Sequence, residues 1–273
     1  MIRLIATDLD DTLLNASGDV TGRTQRALDA AMKAGVWVSL SSGRMTESML
    51  QIAQRTNANA PMILYNGALI YDRRKDETIF SDMIPAALAK EVARAVEDMG
   101  IYIQVYPGKG FYCREKTAHT LAYEKSCRVT AQAVGMPVSE WMTGGMLKML
   151  AIAEPETILK AQAALRERFP EGMSFMRSKA HYLEIVRAGV DKGRALTRLG
   201  AHLGLQPDEI MAFGDGQNDA ALLAAAGTGV AMENAVEECK KAAKLIAPKN
   251  TEDGVARVIE QYLAEGKLGG QAW

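Results

Sequence analysis

Cysteine and histidine are scarce in this chain. Cys113, Cys127 and Cys239 are odd in number and widely spaced, so they spell neither a disulfide framework nor a thiolate metal motif. His119, His181 and His202 carry no ligand spacing. Charge of one sign is also lacking: 32 basic residues face 33 acidic ones, for a formal net charge of -1. The densest basic run, Arg73-Arg74-Lys75, is flanked by Asp72, Asp76 and Glu77 and reads as a solvated turn. Nothing here selects nucleic acid or an anionic membrane. No apolar run approaches the ~20 residues of a membrane span. No GxxxxGK[ST] loop is present, which argues against a nucleoside-triphosphate engine, and Gly227-x-Gly229 lacks the rest of a dinucleotide fingerprint. Met1 leads straight into an apolar segment without a leader, and with 15 methionines the expectation is a reduced, cytoplasmic protein.

What is present is ordinary globular material: 273 residues, 48% hydrophobic and 24% charged, enough for one large domain or two smaller ones. Ile2, Leu4 and Ile5 with Ala6 and Thr7 read as a buried strand that ends in the acidic cluster Asp8-Leu9-Asp10-Asp11-Thr12. Thr21 caps a helix to about Ala34, closed by Gly35. Val36 to Leu40 is a second strand, ending at Ser41-Ser42-Gly43-Arg44, and a helix through Met45, Met49 and Ile52 follows. Pro61 to Tyr65 is a third strand, ending at Asn66-Gly67, before a hairpin to about Asp82. This β-α-β-α-β rhythm predicts an α/β fold with a doubly wound parallel sheet.

Over residues 83–187 the rhythm changes to paired strands and separate helices, which predicts an inserted α+β unit. No regular element is evident over residues 128–145. The first rhythm returns over residues 188–273: a helix from Asp191 to Leu203, a strand from Glu209 to Phe213 ending at Gly214-Asp215-Gly216-Gln217-Asn218-Asp219, a helix through Leu222, a strand near Val230, and two further helices. Gly266 to Trp273 reads as a loose tail. The expected organisation is thus a discontinuous core, 1–82 and 188–273, around an insert, 83–187.

Carboxylates at a strand's carboxyl end are not explained by burial, because like charges repel unless a cation or a proton holds them together. Taken alone, Asp8 to Thr12 fit a polar turn equally well. Four clusters change that balance: Asp8-x-Asp10-x-Thr12, Ser42-Gly43-Arg44, Lys192-Gly193 and Gly214-Asp215-x-x-Asn218-Asp219. In this order, and with Asn66-Gly67-Ala68 after the third strand, the chain resembles the haloacid dehalogenase superfamily, Cof-type branch, over its whole length. The insert then corresponds to that branch's α/β cap, which reads substrate.

The resemblance implies a phosphatase acting on small phosphomonoesters, such as sugar phosphates or a cofactor phosphate like pyridoxal phosphate. It makes Asp8 the nucleophile that forms an aspartyl-phosphate and Asp10 the general acid–base. Lys192 offsets charge repulsion between nucleophile and phosphate. Ser42 and Gly43 bind the phosphoryl group, and Asn218 orients Lys192 or the phosphate. Mg²⁺ is implied, held by Asp8, Asp215, the Asp10 carbonyl and Asp219, the last through a bound water in the first instance or directly in the second. Thr12 and Asp11 are read as turn residues. Arg44 has no assigned role; a salt bridge to an acid in the cap is an equally good reading. The partner expected is a small phosphorylated metabolite, with no nucleic acid and no membrane, and the chain a monomer or homodimer. A phosphomutase of the same superfamily and a non-catalytic phosphometabolite-binding regulator are the alternatives.

Overall fold

The computed structural model describes residues 1–270 and divides the chain into two compact units. The first contains residues 1–43, 49–80 and the chain from 191 onward; the second contains 44–48 and 81–190.

In the first unit, β1 (Leu4–Thr7) leads to α1 (Gly22–Lys33), β2 (Trp37–Leu40), α2 (Thr46–Thr56), β3 (Met62–Leu64), β4 (Leu69–Asp72) and β5 (Glu77–Ser81). All four residues of β1 are buried, as expected of a parallel strand covered on both faces. Thr21 caps α1 by accepting from the Thr24 amide, and α1 buries Ala27, Leu28 and Ala31 one helical turn apart.

The second unit comprises α3 (Ala86–Asp98), β6 (Tyr102–Tyr106), β7 (Tyr112–Cys113), α4 (Ala118–Cys127), β8 (Gln132–Ala133), α5 (Val138–Trp141), β9 (Lys148–Ile152), α6 (Pro155–Arg168), β10 (Met173–Lys179) and β11 (Tyr182–Arg187). Its strands form one sheet in the order β10-β11-β9-β6-β7-β8. Alternate residues Ile103, Val105, Met149, Ala151, Leu183 and Ile185 share a core with Val92, Val96, Ile158 and Leu165 of α3 and α6. The period of two puts Gln104, Lys148 and Glu184 on the opposite face.

The chain then returns to the first unit through α7 (Lys192–His202), β12 (Ile210–Gly214), α8 (Ala220–Ala225), β13 (Thr228–Met232), α9 (Glu237–Ala242), β14 (Leu245–Ala247) and α10 (Gly254–Ala264). Five parallel strands lie in the order β14-β13-β12-β1-β2. The chain moves to one side of β1 for β2 and to the other for β12 onward, so β1 stands at the point where strand order reverses. Ligands of open parallel sheets bind there, beyond the carboxyl ends.

Three details differ from the sequence expectations. β14 lies between the last two helices and extends the sheet by one strand; at three residues, with Leu245 and Ile246 exposed, it has too little pattern to be seen. β3 joins the parallel sheet by one bridge, Ser41 to Ile63, and then belongs to an antiparallel β3-β4-β5 sheet. The expected loose tail is tied down as far as it is described: Leu268 is buried and bridged to Ile2, and the Gly269 and Gly270 amides donate to Ile2 and Ala34. Residues 271–273 of that tail lie outside the described residues.

Candidate active site

Register brings the clusters to one level. Thr7 pairs with Leu40 on one side and Phe213 on the other, so Asp8, Ser41 and Gly214 leave three adjacent strands together. The Asp8 amide still donates to the Phe213 carbonyl at 3.0 Å, which holds its carboxylate at the sheet's end. Past it, Leu9–Leu13 turn sharply, with Asp11 at φ 59°. Asp11 is exposed and its carbonyl accepts from Asn234, so it serves the turn. Asp10, at φ −69° and ψ 126°, is exposed, and its charge acts on Asp8.

Lys192 is the first residue of α7, capped by the Asp191 side chain. It is 1% exposed, and its Nζ lies 2.5 Å from Asp8 Oδ1 and 2.5 Å from Asp219 Oδ1. A charged lysine in a first helical turn opposes the helix dipole, so its stability here comes from those carboxylates. Burial lowers its pKa, but Asp219 and Asp8 more than reverse this and hold it above the ordinary lysine value. Asp219 is fully engaged: its other oxygen accepts from the Gly216 amide at 2.9 Å and the Asp215 amide at 3.2 Å.

Asp215 is half-buried at the end of β12, and Thr12 Oγ1 donates to its Oδ1 at 2.6 Å. Carboxylate oxygens of Asp8, Asp215 and Asp219 lie within 4.8 Å of one another. Negative charge exceeds what one ammonium offsets. Asp8 is accordingly raised well above the usual carboxylate range, by burial first and then by Asp219, with Lys192 opposing. Asp215 is pushed up to about 7, chiefly by burial, with the Thr12 hydrogen bond opposing. An oxygen-only set with surplus negative charge fits a hard divalent cation such as Mg²⁺.

Ser42 is buried beyond β2, with its amide on the Ile63 carbonyl at 2.9 Å. Gly43 passes so close to Asn66 that a Cβ would lie 2.8 Å from Asn66 Oδ1. Asn218 Nδ2 donates to that same oxygen at 3.1 Å. Asp8, Asp215, Asp219 and Lys192 thus form one cluster, while Asn66 ties Gly43 to Asn218. Arg44 Nη1 donates to Ser48 Oγ at 3.3 Å, one turn along its own segment. His119, His181 and His202 are exposed, and His181 Nδ1 lies 3.1 Å from the Ala153 carbonyl.

Two contacts were invisible in the sequence. Thr12, read as a turn residue, orients Asp215 across 203 positions. Asn66, noted only as part of a local motif, is the partner of Asn218 across 152 positions. Nothing local signals either pairing.

A family model described as haloacid dehalogenase-like hydrolase matches residues 5–259. Pyridoxal phosphate phosphatase YbhA of Escherichia coli is 27% identical, with 96% of this chain and 98% of that protein covered. The 5-amino-6-(5-phospho-D-ribitylamino)uracil phosphatase YitU of Bacillus subtilis is 26% identical, covering 96% and 97%. Among solved structures, a haloacid dehalogenase-like hydrolase from Bacteroides thetaiotaomicron superposes with a TM-score of 0.88 at 27% identity, covering 96% of this chain and 99% of that one. Among the described residues, no helix is long and apolar enough to cross a membrane.

Proposed function

We propose that this chain, which belongs to the haloacid dehalogenase-like hydrolase family and is a phosphatase, hydrolyses small phosphomonoesters with Mg²⁺ through an aspartyl-phosphate on Asp8. The observation that carries this reading is the Lys192 ammonium bridging Asp8 and Asp219, beside Asp215, in a cluster with surplus negative charge. Binding alone does not need a nucleophilic carboxylate backed by a buried lysine.

Asp8 Oδ1 is held by Lys192, which leaves Oδ2 to attack phosphorus. As that bond forms, the bond from phosphorus to the ester oxygen breaks, and Asp10 delivers its proton to the departing alkoxide. Asp10, now ionised, takes a proton from water. The resulting hydroxide attacks phosphorus, the bond to Asp8 breaks, and inorganic phosphate leaves. Asp8, Asp215, the Asp10 carbonyl and, through water, Asp219 would hold the ion, which supplies charge neutralisation on the phosphoryl oxygens. Lys192 opposes the rise in the Asp8 pKa and orients its carboxylate, the preorganised electrostatic role that favours a charged transition state. Ser42, Gly43 and Asn218 bind the phosphoryl group.

We assign the core to residues 1–82 and 188–273 and substrate choice to the inserted 83–187, a cap in the family's terms. Two relatives act by name on pyridoxal phosphate and on a phosphorylated ribitylaminouracil. Both are small phosphomonoesters, and sugar or cofactor phosphates are the proposed class here. The reading is tested by phosphate release from about 100 phosphorylated metabolites, a panel sized to span sugar, nucleotide and cofactor classes, in Mg²⁺ and in EDTA. Turnover in Mg²⁺ that Asp8→Asn abolishes supports it. No hydrolysis in any class refutes it.

A further inference from the structure

After β3 the chain turns through three successive left-handed residues, Tyr65 at φ 51°, Asn66 at φ 58° and Gly67 at φ 102°. Tyr65 is fully buried and Asn66 is 3% exposed. Glycine accepts that conformation freely and asparagine tolerates it, but a buried tyrosine does not adopt it without being held. A surface turn between β3 and β4 would not need this backbone. What the turn touches explains it.

The Asn66 amide donates to the Ser42 carbonyl at 3.1 Å, and its carboxamide packs on Gly43, where a Cβ would lie 2.8 Å away. Its Oδ1 accepts from Asn218 Nδ2 at 3.1 Å. One residue on, a Cβ at Gly67 would lie 2.3 Å from the Asp191 carbonyl oxygen, so no side chain fits between this turn and the cap of the Lys192 helix. Two residues of the turn, Asn66 and Gly67, therefore touch the segments that carry Ser42 and Gly43, Lys192, and Asn218.

We propose that the Tyr65–Gly67 turn is a positioning device, in which Asn66 sets the place of Asn218 and of the Ser42-Gly43 loop and so tunes the grip on the phosphoryl group. The role rests on the phosphatase reading above. Asn66 is a positioning residue, acting through Asn218. Asparagine serves because it combines left-handed tolerance with an acceptor on a short arm.

Asn66→Gly removes the carboxamide and keeps a residue at ease with this backbone, and it is combined with Asn218→Ala in a double-mutant cycle. The readouts are kcat and KM on a phosphomonoester, the Kd of inorganic phosphate in Mg²⁺ by calorimetry, and the thermal midpoint. Losing one hydrogen bond to a group that faces an anion should raise KM and the phosphate Kd about tenfold. The change in kcat should stay within about threefold, since uniform binding is what is lost. In the Asn218→Ala background the same substitution should cost less than about twofold, because contacting residues that act together are not additive. Asn66→Asp, which keeps the oxygen acceptor and the backbone preference, should preserve the full effect of Asn218→Ala and serves if Asn66→Gly does not fold. Additive effects, a loss that falls on kcat with KM unmoved, or a loss that only follows the thermal midpoint would each overturn the proposal. A wild-type protein without turnover refutes the enzymatic reading separately, and the phosphate Kd then decides the positioning role. Absence of phosphate binding overturns both.

Discussion

Among the described residues two lysines are buried, and they differ in what surrounds them. Lys148, in the second unit, meets Glu184 at 2.9 Å, beneath the ring of Tyr106, whose centroid is 4.8 Å from Nζ. Lys192, in the first unit, is equally buried but is shared by Asp8 and Asp219, with Asp215 within reach. One arrangement pairs an ammonium with a carboxylate at salt-bridge distance. The other leaves negative charge in excess, and buried acids pay for that excess by holding protons or by taking a cation. Burial of a charge is therefore a poor pointer to function, and imbalance of buried charge is a better one. Glu184 Oε1 also accepts from Ser178, and Gln104 donates to Tyr106 at 2.5 Å.

The comparison can be broken most directly at Lys148. Lys148→Met strands the Glu184 carboxylate and should cost roughly 3–5 kcal/mol of unfolding free energy. Chemical denaturation reads this, and Lys148→Met with Glu184→Leu should recover most of the loss. Mg²⁺ should restore nothing to the single variant.

At Lys192 the effect should fall on turnover. Lys192→Ala removes a preorganised cation and should lower kcat by roughly 10²–10³-fold. Phosphate release measures it, and Lys192→Arg, longer and forked, should not rescue it. A kcat within about threefold of wild type would place Lys192 in the same structural class as Lys148.

Magnesium separates the two sites without mutation. If the acids at Lys192 hold the ion, Mg²⁺ at about 100 times its Kd should stabilise the wild type by about 2.7 kcal/mol. Thermal melts with Mg²⁺ and with EDTA read the shift. Asp215→Asn should abolish it, whereas Glu184→Gln should leave it intact.

The smallest expected effect concerns Thr12, whose hydroxyl orients Asp215. Thr12→Val keeps the shape and removes the donor, and should weaken Mg²⁺ binding about tenfold, as loss of a ligand's supporting hydrogen bond does. Calorimetric titration measures it. An unchanged Kd would reduce Thr12 to a turn residue.

Most of the first unit could be read from the chain because parallel strands buried on both faces leave unmistakable apolar runs, such as Leu4–Thr7 and Ile210–Gly214. The capping signal at Thr21 was equally plain. The second unit was harder. Between Arg128 and Gly145 it uses a two-residue strand and a four-residue helix, too short for either period to declare itself. β14 escaped notice for the same reason, and the docked Gly269 and Gly270 hold by backbone bonds, which carry no side-chain signature.

Local order thus determined the kinds of chemistry available to this protein: acids, a hydroxyl, a lysine and an amide at the ends of strands and the start of a helix, with an α+β module set between them. Residue identity and periodicity are local properties, and a single chain displays them openly. Tertiary structure alone decided that Lys192 would be shared by Asp8 and Asp219, that Thr12 would steer Asp215, and that Asn66 would face Asn218. Those are distances between residues from 27 to 203 positions apart, set by strand register and the hand of the crossovers, which no stretch of sequence contains by itself.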